Sequence, residues 1–393
     1  MVTKVERVEI IVTDLASRVR RQMSSGPYDT GPQGSPLGKP VLVRVFAGDV
    51  VGQGQVRPIS PGHFVPETTS SVVSCIRDIY GPCLLGRDVF DLEGTWSAFD
   101  RVLPGNSNAR AVIDFALHDA MGKATGLPVH QLIGGLCQAR IPLEWSVSLA
   151  DDPKQMVDDA VRAVDEHGIG VLCLKAGGMG GWRADVRNFS LVRDAVGEDV
   201  TIGIDPNTAW TVSDTIKALA ELLPLGVGYI EQPIDRYDLA GLALVRRSAT
   251  GVPVMADESL FSLQDALRLV TEQAVDVFCI KLYKTGGLRQ AKRISAIAEA
   301  ANVRVNVGGL AVQSQLEAAA SAHFYASTAV ERVMPAAEFI FGLSVAGEDP
   351  LVGDTDFVIR DGSVDVPRGV GLGIELDERA VKARTIQKEV VVA

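Results

Sequence analysis

From residue 141 onward, short apolar runs alternate with longer stretches in which apolar residues recur at helical spacing. The runs that predict strands lie near residues 142–148, 171–175, 201–205, 228–231, 253–257, 277–282, 303–307 and 336–341. Helical patterns fill the gaps between them, for example at residues 153–167, 213–223, 263–272 and 287–301. Parallel strands need long crossovers of this kind. Eight strands with intervening helices therefore predict a closed TIM-like (β/α) barrel, which we place at residues 131–342.

The first 130 residues lack this rhythm and predict a separate α+β domain that caps the barrel. Strands are expected at residues 5–13, 41–46 and 50–55, and helices at residues 66–80, 92–102 and 107–125. Residues 24–39 are rich in Gly, Pro and Ser, which predicts a mobile lid loop, although an ordinary surface loop has the same composition. The tail, residues 343–393, contains a hairpin turn at Asp361-Gly362 and is expected to return to the capping domain.

Composition narrows the range of partners. The 393 residues carry 38 Lys and Arg against 49 Asp and Glu, a formal net charge of −11, with no basic block. Nucleic acid is therefore not an expected partner. No signal peptide or membrane-spanning run is visible, and the five scattered cysteines without a CxxC pair are typical of reduced thiols. We expect a cytoplasmic homo-oligomer with no membrane partner.

Three acidic residues each end an apolar run at a constant interval. Asp205, Glu231 and Asp257 lie 26 residues apart, and Lys175 and Lys281 end the runs on either side of the series. The carboxyl ends of successive parallel strands meet at one rim of a barrel. Three carboxylates suit a hard cation such as Mg²⁺, or Mn²⁺ in its place, and leave positions for water and a substrate oxygen. The spacing therefore predicts a metal site with an amine on either side.

Other roles for such residues are open at this point. A single acid at a strand end often caps the following helix, and Glu258 is an alternative or outer ligand because only one of two successive strand residues faces the interior. Lys284 is a second candidate for the base, but it follows the apolar run that Lys281 ends, so we favour Lys281. Burial, the metal and the neighbouring amine are expected to lower the pKa of each lysine, as a lysine base requires.

The motifs around these residues resemble the enolase superfamily, specifically its muconate lactonizing enzyme subgroup. The similarity extends over nearly the whole chain and is carried by Gly126-Leu127-Pro128, Leu174-Lys175-x-Gly177, Asp205-Pro206-Asn207, Ile230-Glu231-Gln232-Pro233, Ala256-Asp257-Glu258-Ser259, residues 281–287 and Gly371-Leu372-Gly373. The resemblance implies a small carboxylate as substrate, Mg²⁺ as cofactor and two catalytic lysines.

Five further positions carry expectations from the same resemblance. Asn207 and Glu338, the latter as the glutamate of the eighth strand, are expected beside the metal or the substrate. Cys173 stands where the subgroup often has the first lysine of Lys-x-Lys, so this position is neutral here. Gln313 stands where muconate cycloisomerases have Glu, so the loops that determine specificity differ. Asn306 stands where the mandelate racemase subgroup has a seventh-strand His, which disfavours that subgroup.

These groups predict chemistry on the proton next to a carboxylate. Removing that proton places a second negative charge on the substrate, and Mg²⁺ on the carboxylate oxygens stabilises the resulting enediolate while a lysine takes the proton. Lysines on both faces allow racemisation or epimerisation, and the same intermediate serves a muconate-type cycloisomerisation. We favour such an isomerase over a dehydratase that eliminates water from a hydroxy acid. A non-catalytic barrel that retains only the metal site is disfavoured because Lys175 and Lys281 are intact.

Overall fold

The alternation of strands and helices folds as the pattern predicts, into an N-terminal α+β domain and a parallel barrel. A computed structural model describes residues 3–24, 26–58, 65–309, 314–345 and 347–393. It contains a four-stranded antiparallel sheet and a seven-stranded parallel sheet, which confirms the predicted fold class. The candidate residue Gln313 lies outside the described residues. Within them, no helix combines the length and the apolar character needed to cross a membrane.

The N-terminal domain pairs strands from both ends of the chain. Its elements are β1 (Arg7–Thr13), β2 (Val19–Met23), β3 (Gly26–Thr30), β4 (Val41–Ala47), β5 (Val50–Val56), α1 (Thr69–Cys75), α2 (Gly81–Leu84), α3 (Leu92–Val102), α4 (Ser107–Thr125) and α5 (Val129–Leu132), with a π-helical turn at Ile76–Tyr80. The last strand of the chain, β15 (Thr385–Val392), joins three of these strands in a sheet with the order β15–β1–β4–β5. The buried helix α4 packs across this sheet.

The sheet and α4 approach closely at two glycines of β5. A Cβ atom at Gly52 would lie 2.0 Å from the carbonyl oxygen of Ala116, and one at Gly54 would lie 2.5 Å from that of Val112. These oxygens belong to the helix backbone, so we expect Gly54→Ala to cost about 1–3 kcal/mol, as overpacked cores do. Thermal unfolding should show the loss, whereas Gly170→Ala, which meets open space, should not lower the melting temperature. An unchanged melting temperature for Gly54→Ala would contradict this packing.

The barrel domain repeats strand and helix along the chain. After β6 (Arg140–Pro142), its strands are β7 (Glu144–Val147), β8 (Val171–Lys175), β9 (Thr201–Asp205), β10 (Val227–Glu231), β11 (Val254–Ala256), β12 (Val277–Ile280) and β13 (Arg304–Val307). Its helices are α6 (Pro153–Asp165), α7 (Gly181–Val196), α8 (Val212–Leu222), α9 (Leu239–Ser248), α10 (Leu263–Thr271), α11 (Leu282–Thr285), α12 (Leu288–Ala300) and α13 (Gln315–Ala326). Each strand from β7 to β13 pairs in parallel with the next, so their carboxyl ends share one rim.

The prediction of a continuous eighth strand at residues 336–341 is wrong. Within this fully described segment only Ala337 and Glu338 pair, and each forms an isolated bridge to one edge of the seven-stranded sheet. Ala337 O accepts from Glu144 N, and Glu338 N donates to Val307 O, both over 2.9 Å. The preceding Pro335 has no N–H to donate, and a 3₁₀ turn starts at residue 340, so longer pairing is prevented. Two residues thus close the barrel between β7 and β13.

Part of the segment predicted as a lid loop, residues 24–39, is a strand, because residues 26–30 form β3 and pair with β2 in a β-hairpin. β2 and β3 pair in antiparallel register along their whole lengths, and we call them together the cap hairpin. Asp29 on β3 forms ion pairs with Arg18 and Arg20, which stabilise the pairing across the strands. The turn of the cap hairpin reaches the barrel, where Ser24 Oγ donates to Asn207 O over 3.0 Å.

The tail divides between the two domains. β14 (Ser363–Asp365) pairs with β6 at the base of the barrel, so residues 363–365 do not return to the capping domain as expected. The predicted turn is present, since Asp361 and Gly362 have φ of 46° and 64°, the left-handed values of a two-residue hairpin. The chain then continues through α14 (Glu378–Arg384) into β15, which pairs with β1 and completes the capping sheet.

Candidate active site

Alternate residues of the barrel strands point into the barrel. One buried interior cluster contains Cys173 on β8, Tyr229 on β10 and Cys279 on β12. Because strand side chains alternate between faces, the residues two positions further along also face the interior. These are Lys175, Glu231 and Lys281. The alternation therefore delivers two amines and a carboxylate to the carboxyl-terminal rim of the barrel.

The structure brings all five predicted metal-binding and catalytic residues to this rim. Asp205, Glu231 and Asp257 have no solvent exposure, and Lys175 and Lys281 are each 6% exposed. One oxygen each of Asp205 and Glu231 lie within 4.8 Å of one another, and the same holds for Glu231 and Asp257. Glu231 therefore stands between the two aspartates, with one lysine beyond each of them.

Asn207 and Glu258 surround Asp205 as the sequence motifs suggested. Asn207 Nδ2 donates to Asp205 Oδ2 over 2.9 Å and to Glu258 Oε1 over 3.2 Å. The backbone N–H of Asn207 donates to the other oxygen of Asp205 over 2.8 Å, an arrangement that its φ of 44° allows. Burial, followed by the charges of Asp257 and Asp205, raises the pKa of Glu258 to about 8. At neutral pH Glu258 is therefore largely protonated, which fits an outer position better than direct binding of a cation.

Each lysine amine is paired with a carboxylate of the site. Lys175 Nζ donates to Asp205 and lies 3.8 Å from Glu338 Oε1, which places the predicted eighth-strand glutamate beside this amine. Lys281 Nζ donates to Asp257 Oδ2 over 2.6 Å. Burial acts to lower the pKa of both amines, but the adjacent carboxylate charges outweigh it and raise the pKa well above its usual range. Among the protein's own groups the carboxylates therefore raise the pKa of both amines, whereas the expected lowering also counted the positive charge of the metal and stays a prediction for the metal-bound site.

Lys284 lies in the site rather than in an open loop. It is part of the short helix α11, has no solvent exposure, and its Nζ donates to Asp257 O over 2.6 Å as well as to the Asp257 carboxylate. The aromatic ring of Phe261 lies 5.6 Å from this amine. Lys284 is thus held against both the backbone and the side chain of Asp257, whereas Lys281 reaches the same carboxylate from a barrel strand.

The oxygen donors of the site fit a hard divalent cation. Glu231 Oε1 is buried and has no hydrogen-bond partner among the described residues. Burial and then the charge of Asp205 raise the pKa of Glu231 well above its usual range, so its ionised form needs a nearby positive charge. Cys173 and Cys279 also approach the carboxylates, but burial raises the pKa of both thiols well above the usual range. Protonated thiols are poor metal ligands, so the carboxylates are the better candidates for a ligand set, of the kind that Mg²⁺ or Mn²⁺ prefers.

A layer of interior side chains lies beneath the carboxylates, and sequence reasoning missed most of it. Tyr229 Oη donates to Glu144 Oε1 over 2.5 Å, and Cys173 Sγ donates to Glu231 Oε2 over 3.8 Å. Burial, with the charge of Glu338, raises the pKa of Glu144 to about 8, so this carboxyl group is largely protonated at neutral pH. The sequence did contain a signal for this layer, because side chains alternate along a strand and the residue two positions before each rim residue therefore also faces the barrel interior.

Gln232 links two of the strand ends that carry candidate metal-binding residues. Its Oε1 accepts from Asp257 N over 3.1 Å and from Ser259 N over 3.0 Å, and its Nε2 donates to Ser259 Oγ over 2.9 Å. The Glu-Gln-Pro motif marked this residue but did not reveal its role. The amide fixes the loop that follows β11 relative to β10, and so it sets the distance between Glu231 and Asp257.

Both domains match known families. Residues 16–134 match the family described as Mandelate racemase / muconate lactonizing enzyme, N-terminal domain, and residues 155–380 match Enolase C-terminal domain-like. The chain belongs to the enolase superfamily. Chloromuconate cycloisomerase CbnB from Cupriavidus necator is 30% identical over 386 residues, which cover 97% of this chain and 99% of the relative. The motif resemblance to the mandelate racemase and muconate lactonizing enzyme family is thereby confirmed.

Solved structures of this superfamily superpose on nearly the whole chain. N-succinyl Arg/Lys racemase from Bacillus cereus ATCC 14579 has a TM-score of 0.89 at 27% identity and covers 99% of this chain and 100% of its own. Dipeptide epimerase from Enterococcus faecalis V583, complexed with Mg and the dipeptide L-Leu-L-Tyr, has a TM-score of 0.84 at 28% identity, with 95% and 99% covered. Relatives of this chain are cycloisomerases, epimerases and racemases, and the chain is an isomerase of the same superfamily.

Proposed function

We propose that this isomerase removes and returns the proton α to a carboxylate, with Lys175 and Lys281 as the two acid–base groups and Mg²⁺ as cofactor, which Mn²⁺ can replace. The observation that carries the proposal is the placement of two buried amines on either side of three buried carboxylates. β8 and β12, which position the lysines, are separated by the three strands that position the acids. A substrate bound between the amines presents one face of its α-carbon to each.

The chain's own residues supply binding, orientation and proton transfer. Asp205, Glu231 and Asp257 would hold the cation, which when bound supplies Lewis-acid stabilisation of the charge that develops on the substrate carboxylate. A cation held by these carboxylates would offset the charges that raise the lysine pKa values, so that Nζ of one lysine can be neutral and take the proton from one face of the α-carbon. Nζ of the other lysine donates a proton to the opposite face, which inverts the configuration. Asn207 and Gln232 keep the carboxylates in place through their hydrogen bonds.

A racemase or epimerase uses both lysines, whereas a cycloisomerase needs only one of them as the acid–base group. The presence of both amines supports a racemase or epimerase. The similarity to chloromuconate cycloisomerase over 97% of the chain supports a cycloisomerase. A dehydratase on the same scaffold is a weaker alternative, because it removes a β-hydroxyl group and does not need an acid on the opposite face. The small carboxylates named for the relatives, muconates, N-acylamino acids and dipeptides, form the first set of substrates to test.

Solvent deuterium exchange tests the proposed function. The protein with Mg²⁺ should incorporate deuterium from D₂O at the α-carbon of at least one of these carboxylates, as followed by proton NMR. Inversion of configuration during exchange identifies a racemase or epimerase, and conversion without inversion identifies a cycloisomerase. A protein that binds Mg²⁺ and the carboxylates but exchanges no α-proton in any of them is a non-catalytic barrel, and the proposal is then wrong.

A further inference from the structure

Two buried thiols lie beneath the carboxylates of the candidate active site. Cys173 on β8 and Cys279 on β12 have no solvent exposure, and both belong to the interior cluster of the barrel. Each precedes a lysine of the rim by two residues, so the alternation of side chains directs both sulfur atoms to the interior space below the rim. Neither thiol takes part in the proposed proton transfer. They add soft sulfur donors to a site whose other donors are oxygens.

Each thiol completes a group of three donors, and the two groups share Glu231. One group consists of Cys173, Asp205 and Glu231, and the other of Glu231, Asp257 and Cys279. Within each group, one ligand atom of every residue lies within 4.8 Å of those of the other two, so small side-chain movements bring all three onto one ion. Glu231 Oε1 is buried and has no hydrogen-bond partner among the described residues, so this oxygen is available to an ion.

The two groups differ in the positive charge that already surrounds their aspartates. Among the described residues, the Asp205 carboxylate pairs with one amine, that of Lys175. The Asp257 carboxylate pairs with two amines, those of Lys281 and Lys284. A cation has to compete with these amines for the aspartate oxygens, and like charges repel one another at such short range. The group that contains Asp205 is therefore the better cation site of the two.

We propose that Cys173, Asp205 and Glu231 bind a thiophilic divalent cation, of the class of Zn²⁺ and Cd²⁺, in a mode distinct from that of Mg²⁺. Cys173 Sγ already donates to Glu231 Oε2 over 3.8 Å, so sulfur and carboxylate oxygen face one another. Thiolate sulfur selects soft cations, whereas Mg²⁺ keeps to oxygen ligands. On binding, the S–H bond of Cys173 breaks, its proton leaves to the solvent, and a sulfur–metal bond forms.

Titration of the full-length protein with Cd²⁺ tests this site, because a cadmium–thiolate bond absorbs in the ultraviolet and a cadmium–carboxylate bond does not. The variants are Cys173→Ser and Cys173→Ala. Cys279→Ser is the matched control, because it changes the same residue type in the same interior cluster on the other side of Glu231. Cys137→Ser removes the exposed thiol and so accounts for Cd²⁺ bound at the surface. Calorimetry measures Cd²⁺ and Mg²⁺ affinity for each protein, without substrate.

The wild-type protein should show the thiolate absorption, and both Cys173 variants should lose it. Their Cd²⁺ affinity should fall by at least about 10–100-fold, since even residues that only orient a metal ligand reach this size. Their Mg²⁺ affinity should stay within about threefold of the wild type, because Mg²⁺ takes oxygen ligands. Cys279→Ser and Cys137→Ser should keep the absorption of Cys173. Excess Mg²⁺ should remove it from the wild type, because both cations need Asp205 and Glu231.

Three outcomes would overturn the inference: no thiolate absorption in the wild type, absorption that persists in both Cys173 variants, or absorption that only Cys279→Ser removes. If the Cys173 variants do not fold, cadmium NMR of the wild type decides, because the chemical shift separates a sulfur ligand from an all-oxygen set.

Cadmium binding needs no turnover, so it separates this inference from the proposed function. Because the two cations share carboxylates, Zn²⁺ should inhibit α-proton exchange in competition with Mg²⁺, and this expectation alone rests on the proposed function. A protein that binds Cd²⁺ through Cys173 but exchanges no α-proton contradicts the proposed function and supports the thiophilic site. A protein that exchanges the α-proton but shows no thiolate absorption contradicts the site and leaves the proposed function intact.

Discussion

Lys175→Ala and Lys281→Ala are each expected to abolish α-proton exchange in one enantiomer of the substrate. Acid–base groups contribute about 10²–10⁴-fold to such reactions, so the loss should be of that size. The physical reason is position, since β8 and β12 place the two amines on opposite sides of the proposed metal-binding carboxylates. Each amine therefore reaches one face of a bound α-carbon. Exchange of each pure enantiomer in D₂O, followed by proton NMR, measures the two losses separately.

The controls for this experiment distinguish a lost base from a lost metal. Each lysine pairs with an aspartate that we propose as a metal ligand, so Mg²⁺ binding by both variants has to be measured by calorimetry. Intact Mg²⁺ binding with a loss confined to one enantiomer supports the two-base assignment. If one lysine controls exchange in both enantiomers, the enzyme uses a single base, as a cycloisomerase or dehydratase does.

Lys284→Met is the matched variant for the sixth-strand lysine. Lys284 contacts the backbone oxygen of Asp257 as well as its carboxylate, so its loss should weaken Mg²⁺ binding and stability without stereochemical selectivity. Lys281→Ala should instead abolish exchange in one enantiomer while Mg²⁺ binding is retained. A selective loss of exchange in Lys284→Met, with Lys281→Ala still active, would transfer the role of base to Lys284.

Local patterns explain why much of the fold was predictable. The bounds expected for α3 and α4, residues 92–102 and 107–125, agree with the structure. Asp91 caps the N-terminus of α3, and Gly126, with φ of 75°, ends α4 in the left-handed conformation. The rim residues were found for a similar reason, because a period of one strand plus one returning helix places successive strand ends side by side. These features depend on residues close together in sequence.

The features that sequence reasoning missed depend on contacts between distant residues. Arg21 meets Ser148 across 127 positions, and Tyr229 meets Glu144 across 85, so no local pattern reports either pair. The cap hairpin was hidden by its Gly and Pro content, which is as typical of a loop. The part of the lysine pKa shifts that the protein's own groups cause was not predictable, because it depends on which charge lies nearest. In the structure that charge is a carboxylate for both amines.

Glu231→Gln is expected to weaken Mg²⁺ binding by at least about 10–100-fold, since even residues that only orient a metal ligand reach this size. Glu231 stands between Asp205 and Asp257, and its buried Oε1 has no hydrogen-bond partner among the described residues. Mg²⁺ should raise the melting temperature of the wild type by preferential binding to the folded state, and EDTA should abolish turnover. Without Mg²⁺ the raised pKa of Glu231 favours its neutral form, which the amide resembles, so the variant should fold at least as well as the wild type without Mg²⁺.

Glu258→Gln is the matched control, because it makes the same change on the residue next to Asp257. The pKa of Glu258, raised to about 8, means that this side chain carries little charge at pH 7, so its replacement by an amide should leave Mg²⁺ affinity within about threefold of the wild type. Calorimetric titration of both variants and of Asp257→Asn with Mg²⁺ distinguishes a ligand set that contains Asp257 from one that contains Glu258. If Glu258→Gln loses the metal while Asp257→Asn retains it, Glu258 is the third ligand, and Asp257 then serves to hold Lys281 and Lys284.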